Sequence, residues 1–470
     1  MRGMRSAARS RVLALGIGSA LAVAGLAACS GGDAPEGAEA GQDTGGQETG
    51  GAGGDATCTN EIKKPDAEQV LVWAWYPAFE GVVDLFNETH DDVQVCWTNA
   101  GQGNDEYTKF STAIEAGSGA PDLIMLEAEV LASFTIRNAL VDLVPYGAGD
   151  VQGDYTEGAW SDVSSGEAVY AIPVDGGPMG MLYRQDIFEQ YGVDVPTTWE
   201  EFAEAAQALK DGGYEGVITD FPTNGRAYNT AQFAQAGWQP FTYDSANPTD
   251  IGLKISTPEV VDVLAYWNDL VERGLVGTDD AFTTDYNTKL VDGSYAVYIA
   301  AAWGPGYLGG LADADADAVW RAAPVPQWEG QEARQINWGG STFAVTSQAR
   351  NPEAAALVAK EIFGTEEAWK IGIEEGALFP LWRPILESDY FRDLEYPFFG
   401  GQQINKDVFL EAASGYEGFT FSPFQNYAFD QQTEMLYSMV QGERTPEQVF
   451  ADLEGALVQY ANEQGFTVAE

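Results

Sequence analysis

Apolar residues in this chain come in short runs, separated by amphipathic segments and by turns rich in Gly and Pro. Gln69–Trp75 (QVLVWAW) is apolar without alternation, which predicts a strand covered on both faces. Phe79–Glu88 places Phe79, Val82, Val83 and Phe86 on one helical stripe. Val93–Trp97 predicts a second strand, Glu106–Ala116 a second helix, and Asp122–Leu126 (DLIML) a third strand after the turn Gly117-Ser118-Gly119-Ala120-Pro121. The middle of the chain repeats this alternation. Ala168–Val174, Pro178–Tyr183, Gly216–Thr219 and Tyr295–Ala301 read as strands. Thr198 with Glu201 forms the signature of a capping box, and Pro258–Arg273 reads as a helix closed by Gly274. The last hundred residues are mostly helical, notably Pro352–Phe363 and Pro446–Gln464. Strands alternating with helices across short turns predict an α/β fold with largely parallel sheets.

The N-terminal segment follows a different logic. Met1–Arg11 holds four arginines and no acid, and Val12–Ala28 is an unbroken run of apolar and small residues. That run is short for a membrane span and ends in small residues, as a cleaved signal does. Leu26-Ala27-Ala28-Cys29 resembles the lipobox of bacterial lipoproteins, which implies a signal peptide over 1–28 and lipid on the Cys29 thiol. From 29 to 57 the chain is mostly Gly, Ala, Thr and acidic or amide residues, too polar to offset its ordering entropy, and reads as a flexible linker. The address is extracytoplasmic: the outer face of a bacterial cell membrane.

Roughly 410 residues remain, suited to two lobes rather than one core. The full chain carries 23 basic and 72 acidic residues, a formal charge of −49. Removing the four signal arginines leaves 19 against 72, or −53. Such a charge repels nucleic acid and anionic lipid and favours a soluble monomer. Of three cysteines, Cys29 is taken by lipid, and in an exported protein Cys58 and Cys96 are expected to pair. Closing that loop stabilises by roughly 3–4 kcal/mol.

Several segments in order resemble a known family. They are VLVWAWYPAFEGVVDLFNE, STAIEAGSGAPDLIMLEAE, ALVDL, AVYAIPVDGGPMGMLYRQDIFEQYGVDVPTTWEEF, GSYAVYIAAAW, INWGGSTFAVTSQARNPEAA and GERTPEQVFADLEGALVQYANEQGF. The set is similar to the extracellular solute-binding proteins of bacterial ABC sugar importers, in the maltose-binding-like group. The resemblance implies a two-lobed fold of the periplasmic-binding-protein type, each lobe a sheet flanked by helices, joined by three hinge crossings. These fall near Pro173–Gly176, Ser294–Ile299 and Gly339–Phe343. Lobe I is then 58–174 plus 297–340, and lobe II 175–296 plus 341–470.

A sugar presents apolar C–H faces and a rim of hydroxyls, so its site needs flat aromatic platforms with carboxylates, amides or guanidinium groups. Trp75, Tyr76, Trp303, Trp338 and Trp382 are the candidate platforms. Glu127 and Glu129 follow the third strand, and Asp175 lies at the first crossing. Asn99, Gly101 and Gln102 follow the second strand; Gly339 and Gly340 lie at the last crossing; Arg383 and Gln402 (or Gln403) add a fork and an amide. Leu126 and Val130 stand where some relatives carry an aromatic and a basic residue, which argues against maltodextrin. The partners implied are a carbohydrate and importer permease subunits, with the membrane reached only through lipid.

Other motifs carry less. Gly304-Pro-Gly306-Tyr-Leu-Gly309 matches GxGxxG but reads as turn chemistry beside Trp303. Asp313, Asp315 and Asp317 mimic the start of a calcium loop, but Ala318 and Pro324 occupy the positions of the required Gly and Glu. One histidine, His90, reads as a surface turn, and no metal or cofactor is expected. The reading is a receptor without chemistry of its own. The alternatives are the same fold with a polyol, glycerol phosphate or peptide, and a surface glycoside hydrolase using paired carboxylates.

Overall fold

The computed structural model describes residues 58–243, 247–312 and 318–469. The signal peptide, Cys29, the linker through 57 and the Asp313, Asp315 and Asp317 run lie outside these residues.

The expected strands and helices form close to their predicted places. Seven strands make the main sheet: β1 (Glu68–Trp73), β2 (Val93–Thr98), β3 (Leu123–Glu127), β4 (Ile172–Arg184), β5 (Val297–Ala301), β6 (Trp320–Pro324) and β7 (Asn337–Val345). Their order is β5-β4-β7-β3-β1-β2, with β6 also on β4. β1 pairs parallel with β2 and β3, as apolar strands joined by helices do. However, β7 runs antiparallel to β3 and β4, and β5 and β6 antiparallel to β4, so the sheet is mixed and not largely parallel as expected. Helix Phe79–Thr89 buries Phe79, Val82, Val83 and Phe86, the stripe its spacing predicts.

β4 holds the architecture together. Its first half pairs with β7, whose other edge pairs with β3. Its second half, from Met179 onward, lies between β5 and β6. One strand thus belongs to two half-sheets. The ladder between β4 and β7 shifts register on either side of Gly340, and Pro178 and Pro173 flank this irregular stretch. Ala168–Val169 forms a separate short strand, so the two strands expected over 168–183 are instead a short one and a long one.

β5 pairs along its whole length with Met179–Tyr183. Ser341–Val345 pairs with Leu123–Glu127. The segment Gly376–Leu381 also lies against the start of β4: Gly176 N–H donates to Phe379 O at 2.9 Å and Leu381 N–H to Val174 O at 3.0 Å.

The buried side chains form one continuous core. Around β1–β3 it includes Phe110, Phe134 and Phe343. In the other half Trp199 stands edge-on to Trp267 at 5.2 Å, both fully buried. Helix Trp199–Asp211 opens with the predicted capping box, Thr198 accepting from Glu201 N–H while the Glu201 carboxylate accepts from Thr198 N–H. Cys58 and Cys96 are joined, fastening the start of the described chain to β2.

Candidate ligand-binding cleft

Where β3 ends, the chain turns directly into helix Ala128–Thr135, placing Glu127 and Glu129 on either side of Ala128 at the turn. Glu129 sits in the first helical turn, where the helix dipole favours negative charge. Glu127 accepts a hydrogen bond from Tyr107 Oη at 2.8 Å, and Trp75 stands edge-on to Tyr107 at 5.8 Å. Burial raises both carboxyls above their ordinary range, and Arg226 opposes the rise at each. Arg226 comes from the other side, at the start of helix Ala227–Gln235. It bonds Asp430 at 3.4 Å and lies over Phe429 at 5.2 Å. Its backbone is held at φ 47°. Strain of this kind in a residue other than glycine concentrates at functional sites.

Asp175 lies on the first crossing strand. Burial pushes its carboxyl up to about 7, against a hydrogen bond from the Ser341 backbone. Its Oδ1 has no hydrogen-bond partner among the described residues. Beside it, β4 and β7 approach so closely that a Cβ on Gly177 would lie 1.9 Å from Trp338 O. Asn337 bridges this crossing, accepting from Gly177 N–H at 2.9 Å and donating to Gly339 O. Gly339 and Gly340 have φ of 83° and 135°, accessible only to glycine without strain.

Two environments meet at this crossing. On one side is a cavity of about 190 Å³ lined by Glu129, Asp162, Thr230, Arg334, Asn337, Gly339 and Tyr416. Burial pushes the Asp162 carboxyl to about 7, although it accepts from Phe419 N–H at 3.1 Å. On the other side Trp338 packs with Trp303, Tyr228 and Phe282 at 4.7, 5.1 and 5.9 Å. Apolar ring faces beside enclosed carboxyls and a guanidinium suit a ligand that is apolar on its faces and polar on its rim.

Residues 74–369 match the family described as bacterial extracellular solute-binding protein. The chain belongs to that family. Over 356 residues it is 24% identical to the arabinooligosaccharide-binding protein of Halalkalibacterium halodurans, covering 71% of this chain and 76% of that one. It is 29% identical to an uncharacterized lipoprotein of Streptomyces antibioticus over 153 residues, 31% of this chain and 34% of the other. Among solved structures it resembles the ABC-transporter-associated binding protein of B. animalis subsp. lactis in complex with β-1,6-galactobiose. There the identity is 30% and the TM-score 0.74, over 86% of this chain and all of that one.

In this solute-binding protein the structure gathers Glu127, Glu129, Asp175, Trp303, Trp338, Gly339 and Gly340 around the crossing, with Trp75 beside Tyr107. The other expected site residues have these surroundings. Tyr76 is 4% exposed and packs on Phe79 and Phe343. Asn99 accepts from Gly101 N–H at 2.9 Å, a local turn. Trp382 forms a backbone bridge with Tyr155, and Arg383 is exposed and paired with Glu387 at 2.7 Å. Gln402 bonds both the N–H and the C=O of Ala322 at 2.9 Å, so its amide finishes the edge of β6. Gln403 donates to Asp393 O.

Sequence reading did not single out Asp162, Arg226, Tyr228, Phe282, Arg334 or Tyr416. None stands in a motif with recognisable spacing, and they come from five separate stretches of chain. Gly304–Leu311 is a helix following Trp303, and not the turn its glycines suggested.

Proposed function

We propose that this protein captures a sugar or short oligosaccharide between its two halves and delivers it to an ABC importer. The observation that carries this reading is the aromatic wall of Trp303, Trp338 and Phe282 on one side of the β4–β7 crossing, with the buried carboxyls of Glu129 and Asp162 lining the cavity on the other. Relatives that bind an arabinooligosaccharide and a galactobiose support the solute class. Stacking on ring faces and hydrogen bonds to hydroxyls, both desolvated on closure, supply the affinity. The protein performs no chemistry on its ligand. The Gly376–Leu381, β4 and β7 segments serve as the hinge. The lobes are then 58–174 with 341–375, and 179–336 with 382–470. Lipid on Cys29 tethers a monomer to the outer face of the membrane, a reading supported by the lipobox-like sequence and the lipoprotein relative. Among the described residues no helix is long and apolar enough to cross a membrane.

The test is thermal unfolding of residues 58–470 against mono- and oligosaccharides, since a ligand of the folded state raises Tm by mass action. A rise confined to one saccharide class supports the reading. No rise with any saccharide, or turnover of a glycan, overturns it.

A further inference from the structure

Phe282 is unusual in three ways at once. Its backbone is left-handed, with φ 65°, a conformation costly for a bulky side chain. Its ring is half exposed, at 50%. Even so, the ring meets Tyr307, Trp338 and Trp303 at 5.6, 5.9 and 6.2 Å. An exposed ring gains little from burial, so packing alone gives no reason to hold it in a strained backbone.

The strain is imposed from outside the loop. Asn224 Oδ1 accepts from Ala281 N–H at 2.9 Å, directly before Phe282. Asp220, 4% exposed, accepts from Asp279 N–H at 3.0 Å and from Tyr295 Oη at 3.1 Å. Tyr295 also donates to Asp279, whose carboxylate pairs with Lys289. After Phe282, Thr283 Oγ1 donates to Asp280 O at 2.9 Å and caps helix Thr284–Val291. The loop is therefore fixed on both sides of the ring.

We infer that Asn224 and Asp220 are positioning residues, which hold Phe282 in its left-handed conformation so that its ring extends the Trp303–Trp338 wall toward the ligand. This rests on the saccharide reading above, and assigns Phe282 to a sugar unit beyond the one at the Trp pair. It implies an oligosaccharide rather than a monosaccharide as the preferred solute.

Phe282→Gly removes the ring and suits the backbone, so Tm should hold while affinity for the best oligosaccharide falls about tenfold. Affinity for the corresponding monosaccharide should fall by a smaller factor. Asn224→Ala should cause a loss of similar size, and Asn224→Ala with Phe282→Gly should be no worse than Phe282→Gly alone. Such non-additivity is the mark of one residue acting through another. Additive losses, or wild-type oligosaccharide affinity in Phe282→Gly, would overturn the inference. A ligand-free arm separates it from the saccharide reading: 4-fluorophenylalanine at 282 should show a ¹⁹F shift that moves toward the solvent-exposed value in Asn224→Ala. If no saccharide binds the wild type but the shift moves, the positioning role stands and the sugar reading fails. An unmoved shift sinks the positioning role.

Discussion

Trp303 stands edge-on to Trp338, ring centroids 4.7 Å apart and planes at 65°, and its indole N–H donates to the Trp338 carbonyl at 3.4 Å. Trp303 follows β5, and Trp338 rides on the crossing strand β7. The pair therefore links the end of β5 to β7.

Trp303→Ala should lower saccharide affinity by more than tenfold in isothermal calorimetry. The stability cost should be modest, because such an aromatic pair contributes about 0.5–1.5 kcal/mol beyond its burial. Unchanged affinity with lowered Tm would assign Trp303 to packing alone.

Glu106 is fully buried, both carboxylate oxygens lack hydrogen-bond partners among the described residues, and burial raises its carboxyl to about 9 against the opposing pull of Lys109. The native state therefore keeps a proton that the unfolded chain releases near the ordinary glutamate value. Between those two values the native state binds more protons, so stability falls as pH rises from about 4.5 to about 9. Glu106→Gln should match the wild type at pH 4 and exceed it at pH 8 by at least about 1 kcal/mol. Parallel urea denaturation curves at the two pH values decide it; a Gln variant equally unstable at both shows that the carboxyl ionises freely.

The Cys58–Cys96 bond closes a separation of 38 residues. Cys58→Ser with Cys96→Ser should lower stability by about 2–5 kcal/mol. Scanning calorimetry should show the loss, together with insensitivity of the variant to added reductant.

Cys29→Ser should move the protein from the membrane fraction to the medium and abolish incorporation of labelled fatty acid. Retention at the membrane without label would mean that something other than lipid holds it there.

Most of the secondary structure was legible in the sequence. QVLVWAW and DLIML form strands because apolar side chains on both faces need cover on both faces, and a sheet interior supplies it. Thr198 and Glu201 cap a helix because that bonding is local, complete within four residues. The site was legible where a residue's neighbours in sequence are also its surroundings: Glu127 and Glu129 at the end of a strand, and Gly339 and Gly340 where strands cross.

The partners of each strand, and with them the rest of the site, were decided by the tertiary structure. β5 reads as a buried strand from its own residues, yet only pairing with Met179–Tyr183 assigns it to the second half-sheet. Tyr76 and Trp338 are both aromatic residues in strand-like stretches. One packs against Phe343, and the other meets Tyr228. Gln402 carries the amide that a sugar site needs, but the open edge of β6 takes it first. Arg226 and Phe282 have left-handed backbones, and their side chains meet residues far away in the chain, Asp430 and Tyr307 among them, which no local pattern records. The sequence by itself sets which segments are strand, helix or turn, because those preferences are local energies. It leaves to the folded chain which side chains share a cleft, because that depends on contacts among segments hundreds of residues apart.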